Sequence, residues 1–179
     1  MNGPILITGS EGFVGAHLCE RLGSDAVPAG VDVLDPEAVA GRVRTVQPAA
    51  VVHLAAQSSV AASWEDVHEV WSVNVLGTVH VLEAVRLERP QARVLFASTG
   101  EVYGRADELP TPETEPVAPL SPYAATKAAA EVASGQAGRH GLDVVVTRAF
   151  NHEGPGRDER FAIGSWTRQI ARPRTCIRR

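Results

Sequence analysis

Short apolar runs rich in β-branched residues alternate along this chain with stretches in which apolar residues recur every three or four positions. The first pattern suits strands buried on both faces, the second helices packed by one face. In order, the sequence predicts a strand over Pro4–Thr8 and a helix over Gly12–Leu22, with Val14, Leu18 and Leu22 on one face. A short strand over Ala29–Leu34 follows, then a helix over Pro36–Val46 and a buried strand over Ala50–Leu54. Asp35 before Pro36 is a helix start: the Asp offers a capping oxygen, and the Pro needs no N–H in the first turn. A long helix over Val67–Leu87, a strand over Arg93–Ala97, a helix over Pro122–Arg139 and a buried strand over Asp143–Arg148 complete the alternation. One more helix starts over Ile163–Ala171. Gly104–Leu120, with Pro110, Pro112, Pro116 and Pro119 among acidic residues, is predicted to be a surface loop, and so is Asn151–Arg160. The expected fold class is α/β, a doubly wound parallel sheet with helices on both faces. Residues 1–171 form the domain, and residues 172–179, with four arginines and no apolar periodicity, are expected to be a disordered basic tail.

Composition narrows the class without naming a chemistry. The chain has 179 residues, 44% of them apolar and 21% charged, which is ordinary for a globular domain. The formal charge of −4 argues against a general nucleic-acid-binding surface. No apolar run reaches the length of a membrane span, and the N-terminus has neither a basic region nor a signal core. Cys19 and Cys176 do not make a disulfide framework, which fits a reducing cytoplasm, and no Cys/His spacing points to a metal.

The chemistry begins at Gly9-Ser10-Glu11-Gly12-Phe13-Val14-Gly15, placed directly after the first strand and opening a helix. Gly9 permits a tight exit from the strand, Gly12 a close backbone approach to a pyrophosphate, and Gly15 close helix–sheet packing. The helix N-terminus then offers free N–H groups and partial positive charge to phosphate. This context makes the sheet Rossmann-type and the expected cofactor NADP or NAD. An acid that reads the adenosine ribose normally follows the second strand. Ser24–Gly30 leaves little room for it, so Asp32 is the candidate at the adenine edge, Asp35 serves as a cap, and NAD versus NADP stays open.

Tyr123 and Lys127 stand four apart on a predicted helix and so share a face. An ammonium beside a phenol stabilises the phenolate and is expected to lower the tyrosine pKa. Such a tyrosine exchanges a proton with a sugar hydroxyl or ketone while hydride moves to or from a nicotinamide. Thr99 ends a strand, where a hydroxyl points into the ligand crevice of a parallel sheet.

Four segments in this order resemble the extended short-chain dehydrogenase/reductase family, in its nucleotide-sugar epimerase/dehydratase branch. They are Thr8–Gly15, His53-Leu54-Ala55-Ala56, Ser98–Gly104 and Ser121-Pro122-Tyr123-Ala124-Ala125-Thr126-Lys127. Two more, Ala55–Trp64 and Arg148–Gly156, look like GDP-mannose 4,6-dehydratases and GDP-4-keto-6-deoxymannose reductases. The resemblance implies that Gly9, Gly12, Phe13, Val14 and Gly15 hold the pyrophosphate. It implies that Asp32 and Val33 meet the adenine, that Leu54, Ala55 and Ala56 line the adenosine side, and that Ser58 and Asn151 touch substrate. It also implies a catalytic set of Thr99, Glu101, Tyr123 and Lys127, a GDP-sugar substrate, and a homodimer through helices equivalent to Val67–Leu87 and Pro122–Arg139. His53 is read as a satisfied strand-end histidine, and Asn74 as a support inside its helix.

Glu101 decides between two reactions. A dehydratase of this branch oxidises C4, removes the C5 proton, expels the C6 hydroxyl as water and returns hydride to C6; Glu101 stands where such enzymes carry the base. Gly100 occupies the position where many related dehydratases carry an acid. A reductase needs only Thr99, Tyr123 and Lys127, and an epimerase is a further alternative. The resemblance also implies a further strand and a C-terminal substrate domain after the Asn151 loop, which this chain does not contain. From this comes the expectation of an incomplete sheet, a truncated member of the family and weak turnover. The alternative of another class is a non-catalytic NAD(P)-binding module or an inactive copy.

Overall fold

A computed structural model describes residues 3–171; the basic tail at 172–179 lies outside the described residues. Five strands form one parallel sheet: β1 (Ile5–Thr8), β2 (Ala26–Pro28), β3 (Ala50–His53), β4 (Arg93–Thr99) and β5 (Val144–Ala149), in the order β2-β1-β3-β4-β5. The helices are α1 (Phe13–Leu22), α2 (Pro36–Val46), α3 (Val60–Glu65), α4 (Val67–Trp71), α5 (Gly77–Glu88), α6 (Pro122–Arg139) and α7 (Ala162–Ala171). Among the described residues no helix is long and apolar enough to cross a membrane.

Right-handed crossovers dictate where the helices go. The chain steps from β1 to β2 in one direction and then from β2 through β3 and β4 to β5 in the other. α1 therefore takes one face, and α2, α5 and α6 the opposite face. The reversal between β1 and β3 is the switch point at which parallel sheets open a ligand crevice.

The register gives each face its character. Leu6, Val51, Val94 and Val144 form one cross-strand row and pack under α2, α5 and α6 with Val39, Val43, Val81 and Val85. The next row, Ile7, Val52, Leu95 and Val145, faces α1. Ile7 beneath α1 is fully buried, Val52 and Leu95 are half-buried, and Val145 is 38% exposed. β5 is thus not the buried strand its Val-Val-Val composition predicts. It is an edge strand, and no described element covers its α1 face. On α7 the apolar residues Ile163, Trp166 and Ile170 are likewise exposed.

Other differences from the sequence reading have local causes. The second strand is Ala26–Pro28, paired with Ile5–Ile7, rather than Ala29–Leu34. Ala29 N–H still donates to Ile7 O, but Gly30 then turns the chain at φ +63°. Ala29 and Val33 are buried by packing instead of pairing, so their apolar alternation imitates a strand. α3 was not anticipated; the Ser59 side chain caps it by accepting from Ala62 N–H at 3.2 Å. The long helix divides into α4, a π-helical turn at Ser72–Leu76, and α5. Asp35 caps α2 as expected, accepting from Ala38 N–H at 3.0 Å.

The π turn accompanies a buried polar chain that joins the two halves of the domain. Thr78 donates its hydroxyl proton to Asn74 O at 2.6 Å, so its oxygen accepts from His53 Nε2, 3.0 Å away. His53 Nδ1 is then an acceptor and takes the Thr8 hydroxyl proton at 2.7 Å, while Thr8 Oγ1 accepts from Ala55 N–H at 3.2 Å. The Asn74 side chain accepts from Gln57 N–H and donates to Gln57 O and to Thr126 Oγ1. With Thr8 donating to Nδ1, the imidazole is held neutral, because a protonated Nδ1 could not accept that hydrogen. Burial, reinforced by the Lys127 ammonium, lowers the His53 pKa from 6.5 to about 3. The unfolded chain therefore binds a proton between these values that the folded chain refuses, and stability falls as pH drops from about 6.5 toward 3. In His53→Gln this loss should flatten between about pH 6.5 and 5, above the carboxylate range. Urea midpoints measured across that interval check it; equal slopes in both proteins would exclude His53 as the source.

Candidate active site at the carboxyl edge of the sheet

The strand ends and the loops that follow them enclose a cavity of about 610 Å³. Its floor is the glycine turn. Gly9 has φ +67°, and a Cβ there would lie 2.6 Å from Ala55 N. A Cβ on Gly15 would lie 2.6 Å from Ser10 Cα and collide with Gly9 O. Both positions are closed to side chains by backbone, which is what lets α1 begin against the strand end. Side chains cap α2, α3, α4 and α6, whereas α1 starts at Gly12 with no side-chain cap. Its first N–H groups are left to a ligand, as a pyrophosphate cradle requires.

The cavity brings together almost every residue singled out from the sequence. Gly9, Gly12, Phe13, Val14, Gly15, Leu54, Ala55 and Ala56 line one side, and Ser58, Thr99, Glu101, Tyr123, Lys127 and Asn151 the other. Asp32 and Val33 are not part of the lining. Asp32 is exposed and accepts from Leu34 N–H at 2.9 Å. Val33 is buried against Gly77, where a Cβ would come within 2.7 Å of its methyl, and its carbonyl accepts from His80 Nδ1. Arg157 was missed in the sequence. Its guanidinium stacks 3.6 Å from the Phe161 ring centroid and 5.0 Å from that of Phe13, placing a cation beside the glycine turn. Its position after Gly154-Pro155-Gly156, in a loop leaving a strand's carboxyl end, was the available signal.

α6 carries the Tyr–Lys pair into this space. Ser121 caps it by accepting from Ala124 N–H, Pro122 opens it, and Ser63 of α3 accepts from Tyr123 N–H at 3.2 Å. Lys127 is buried; Nζ donates to Ala97 O at 2.8 Å and lies 4.9 Å from the Phe96 ring centroid. Burial lowers its pKa from 10.5 to about 8. The expectation that Lys127 lowers the Tyr123 pKa is not met. Burial raises the phenol and Glu101 adds to the rise, while Thr99 and Arg157 oppose it. The ammonium is turned to a strand carbonyl, so its charge does not govern the phenol.

Thr99 Oγ1 accepts from Glu101 N–H at 3.2 Å and caps the 3₁₀ turn Gly100–Tyr103. That hydrogen bond uses a lone pair and leaves the hydroxyl proton for another acceptor. Glu101 projects exposed on the cavity wall. Gly100 has a steric reason to be glycine: a Cβ would lie 2.8 Å from the Phe150 ring.

A glycine turn opening an uncapped helix, a hydroxyl, a phenol, a buried ammonium and a carboxylate thus share one cavity at the switch point, and comparison with known proteins agrees with that assembly. The family model for GDP-mannose 4,6 dehydratase matches residues 27–175. The chain is 38% identical to the GDP-6-deoxy-D-mannose reductase of Pseudomonas aeruginosa, over 94% of this chain and 58% of that protein. It is 37% identical to the GDP-mannose 4,6-dehydratase of Yersinia enterocolitica, over 78% of this chain and 38% of that one. The solved structure of RMD from Pseudomonas aeruginosa complexed with NADPH superposes with a TM-score of 0.87 at 35% identity, covering 94% of this chain and 60% of that one. The chain therefore spans roughly two fifths to three fifths of the length of these relatives. With a model match over most of its length and a Rossmann sheet to carry it, the chain belongs to the GDP-mannose 4,6 dehydratase family.

Proposed function

We propose that this domain binds NADP or NAD and acts on a GDP-linked hexose as a 4,6-dehydratase. The observation that carries the reading is the placement of Glu101 on the same cavity wall as Thr99 and Tyr123, near enough for its charge to raise the Tyr123 pKa. The glycine turn and the uncapped start of α1 would hold the pyrophosphate, with Arg157 adding positive charge, and Lys127 would hold a ribose hydroxyl. The bound dinucleotide supplies a hydride acceptor for C4 and later a hydride donor for C6.

The Tyr123 phenolate takes the O4 proton as C4 becomes a ketone, and the Thr99 hydroxyl donates to O4. Burial disfavours this phenolate, which the positive charge of the oxidised dinucleotide would stabilise. The new carbonyl acidifies the C5 proton, which the Glu101 carboxylate removes. The C5–H electron pair becomes the C5=C6 bond as the C6–O bond breaks. The Phe150 ring stands where a side chain at position 100 would begin. The proton that Glu101 has gained is therefore the one passed to O6, and water leaves. As C6 is reduced, C5 takes a proton from solvent, relayed by the exposed Glu101 carboxyl.

A second reading, the GDP-4-keto-6-deoxy-sugar reductase, is favoured by the longer match to the Pseudomonas reductase than to the Yersinia dehydratase. Glu101→Gln separates the two. With GDP-mannose as substrate, dehydration should fall at least about a hundredfold while C4 oxidation persists, and reduction of a 4-keto-6-deoxy sugar nucleotide would survive in a reductase. Tyr123→Phe should abolish either activity by a similar factor. Rapid-quench product analysis by NMR reads each step, and dehydration at an undiminished rate in the Gln variant would defeat the dehydratase reading.

Lys127 makes a second, pH-dependent prediction. Its pKa of about 8 means the ammonium is present at neutral pH and lost above it. NADPH affinity should therefore weaken as pH rises through about 8, and Lys127→Met should bind more weakly with no break there. Fluorescence titration at a series of pH values measures both.

The homodimer belongs to the same proposal. Leu87 on α5 and Val132 on α6 are 63% and 70% exposed, apolar surface suited to helix packing between two copies. Light scattering should give twice the chain mass, and Leu87→Glu with Val132→Glu should give the monomer.

A further inference from the structure

We propose that Arg148 is a positioning residue for Glu101, acting through the ring of Tyr103 while Glu131 holds it in place; this rests on Glu101 being the proton-abstracting group proposed above. The Glu101 carboxylate has no hydrogen bond or ion pair among the described residues. Its location is set entirely by the backbone of the turn Gly100–Tyr103, and the anchor of that turn is Tyr103, which is 3% exposed. The Arg148 guanidinium lies over the Tyr103 ring, 4.8 Å from its centroid. The Phe150 ring stacks on Tyr103 as well, at 6.4 Å and 21°.

Arg148 is itself fixed on both edges of a carboxylate. Nε donates to Glu131 Oε1 at 3.0 Å and Oε2 at 3.1 Å, and Nη2 to Oε2 at 2.7 Å. Glu131 also accepts from the Ser98 hydroxyl and is largely buried. These attachments fall on elements that matter. Glu131 is one helical turn beyond Lys127 on α6, and Ser98 immediately precedes Thr99 on β4. The cluster therefore refers the turn carrying Glu101 to the same helix and strand that carry the other reacting groups. An ion pair serving only to tie α6 to β5 would not need a plane lying on Tyr103. Arginine alone supplies a bidentate fork and a flat face together; lysine keeps the charge and loses the plane.

Residue-resolved amide hydrogen exchange on the 179-residue chain tests this in two variants. Arg148→Lys keeps an ammonium beside Glu131, and Tyr103→Leu keeps the ion pair but removes the ring. In both, the Glu101 and Gly104 amides should exchange at least about tenfold faster, while Ala130 in α6 stays within about twofold of the wild type. Unchanged protection at Glu101 and Gly104 in either variant overturns the proposal. So does equal acceleration throughout α6 and β4, which would mean a general loss of packing. The chemical readout is exchange of the C5 proton of a GDP-4-keto-6-deoxyhexose with deuterated water. It should slow in both variants while C4 oxidation of GDP-mannose is retained, and equal losses in the two steps count against positioning. A wild-type chain inactive in both steps would speak against the dehydratase reading, and the amide result would still decide the role of Arg148.

Discussion

The arrangement of this domain depends on one buried line of polar groups, Thr8–His53–Thr78–Asn74–Thr126. Polar atoms taken out of water must be paired, and inside a protein each unpaired one costs on the order of 1–3 kcal/mol. Here the pairing runs from the strand that feeds the glycine turn, across the central strand, into α5, and on to α6 next to Lys127. The strand ends, the π turn and α6 cannot shift independently without leaving one of these groups unsatisfied. The buried neutral imidazole is the joint, since it accepts from Thr8 on one ring nitrogen and donates to Thr78 from the other.

The charged groups follow the same rule in two ways. Among the described residues Lys127 is buried without a carboxylate partner and relies on a strand carbonyl and an aromatic face, so burial lowers its pKa. Arg148 and Glu131 are paired on both edges, and the guanidinium is held strongly in its charged form. The first group is poised near neutrality, where loss of its proton matters. The second is locked, and its use is geometric. The two groups thus differ in kind: one titrates, and the other keeps its neighbours at fixed separations.

The sheet's two faces differ in the same accountable way. The face under α2, α5 and α6 is a packed core of valines and leucines, while the α1 face loses cover from Ile7 to Val145. β5 and the apolar stripe of α7 are therefore parts of the described fold with unspent hydrophobic surface, next to the loop that carries Asn151 and Arg157 into the cavity. The loop itself is tied down from the α1 side, through His17 to Pro155 O and through Arg157 over Phe13.

From the sequence alone, periodicity and capping residues determined most elements. α2 and α6 were legible to the residue because Asp35-Pro36 and Ser121-Pro122 are local signals. The glycine turn was legible because its steric demands lie within seven residues, and Thr99, Tyr123 and Lys127 because strand ends and helix faces place them. What the sequence could not state depends on distant partners. Ala29 to Leu34 alternates like a strand, yet pairing with β1 was decided by Ala26–Pro28. Val144–Ala149 is as apolar as a core strand, yet its exposure depends on what covers it. The direction of the Tyr123 shift could not be read from a four-residue spacing, because burial and the carbonyl of Ala97 decide where the phenol's field comes from. The Ser98–Glu131–Arg148–Tyr103 cluster joins residues up to fifty positions apart, and only the folded backbone brings them into contact. Local sterics are written in neighbouring residues; electrostatics and burial are properties of the assembled space.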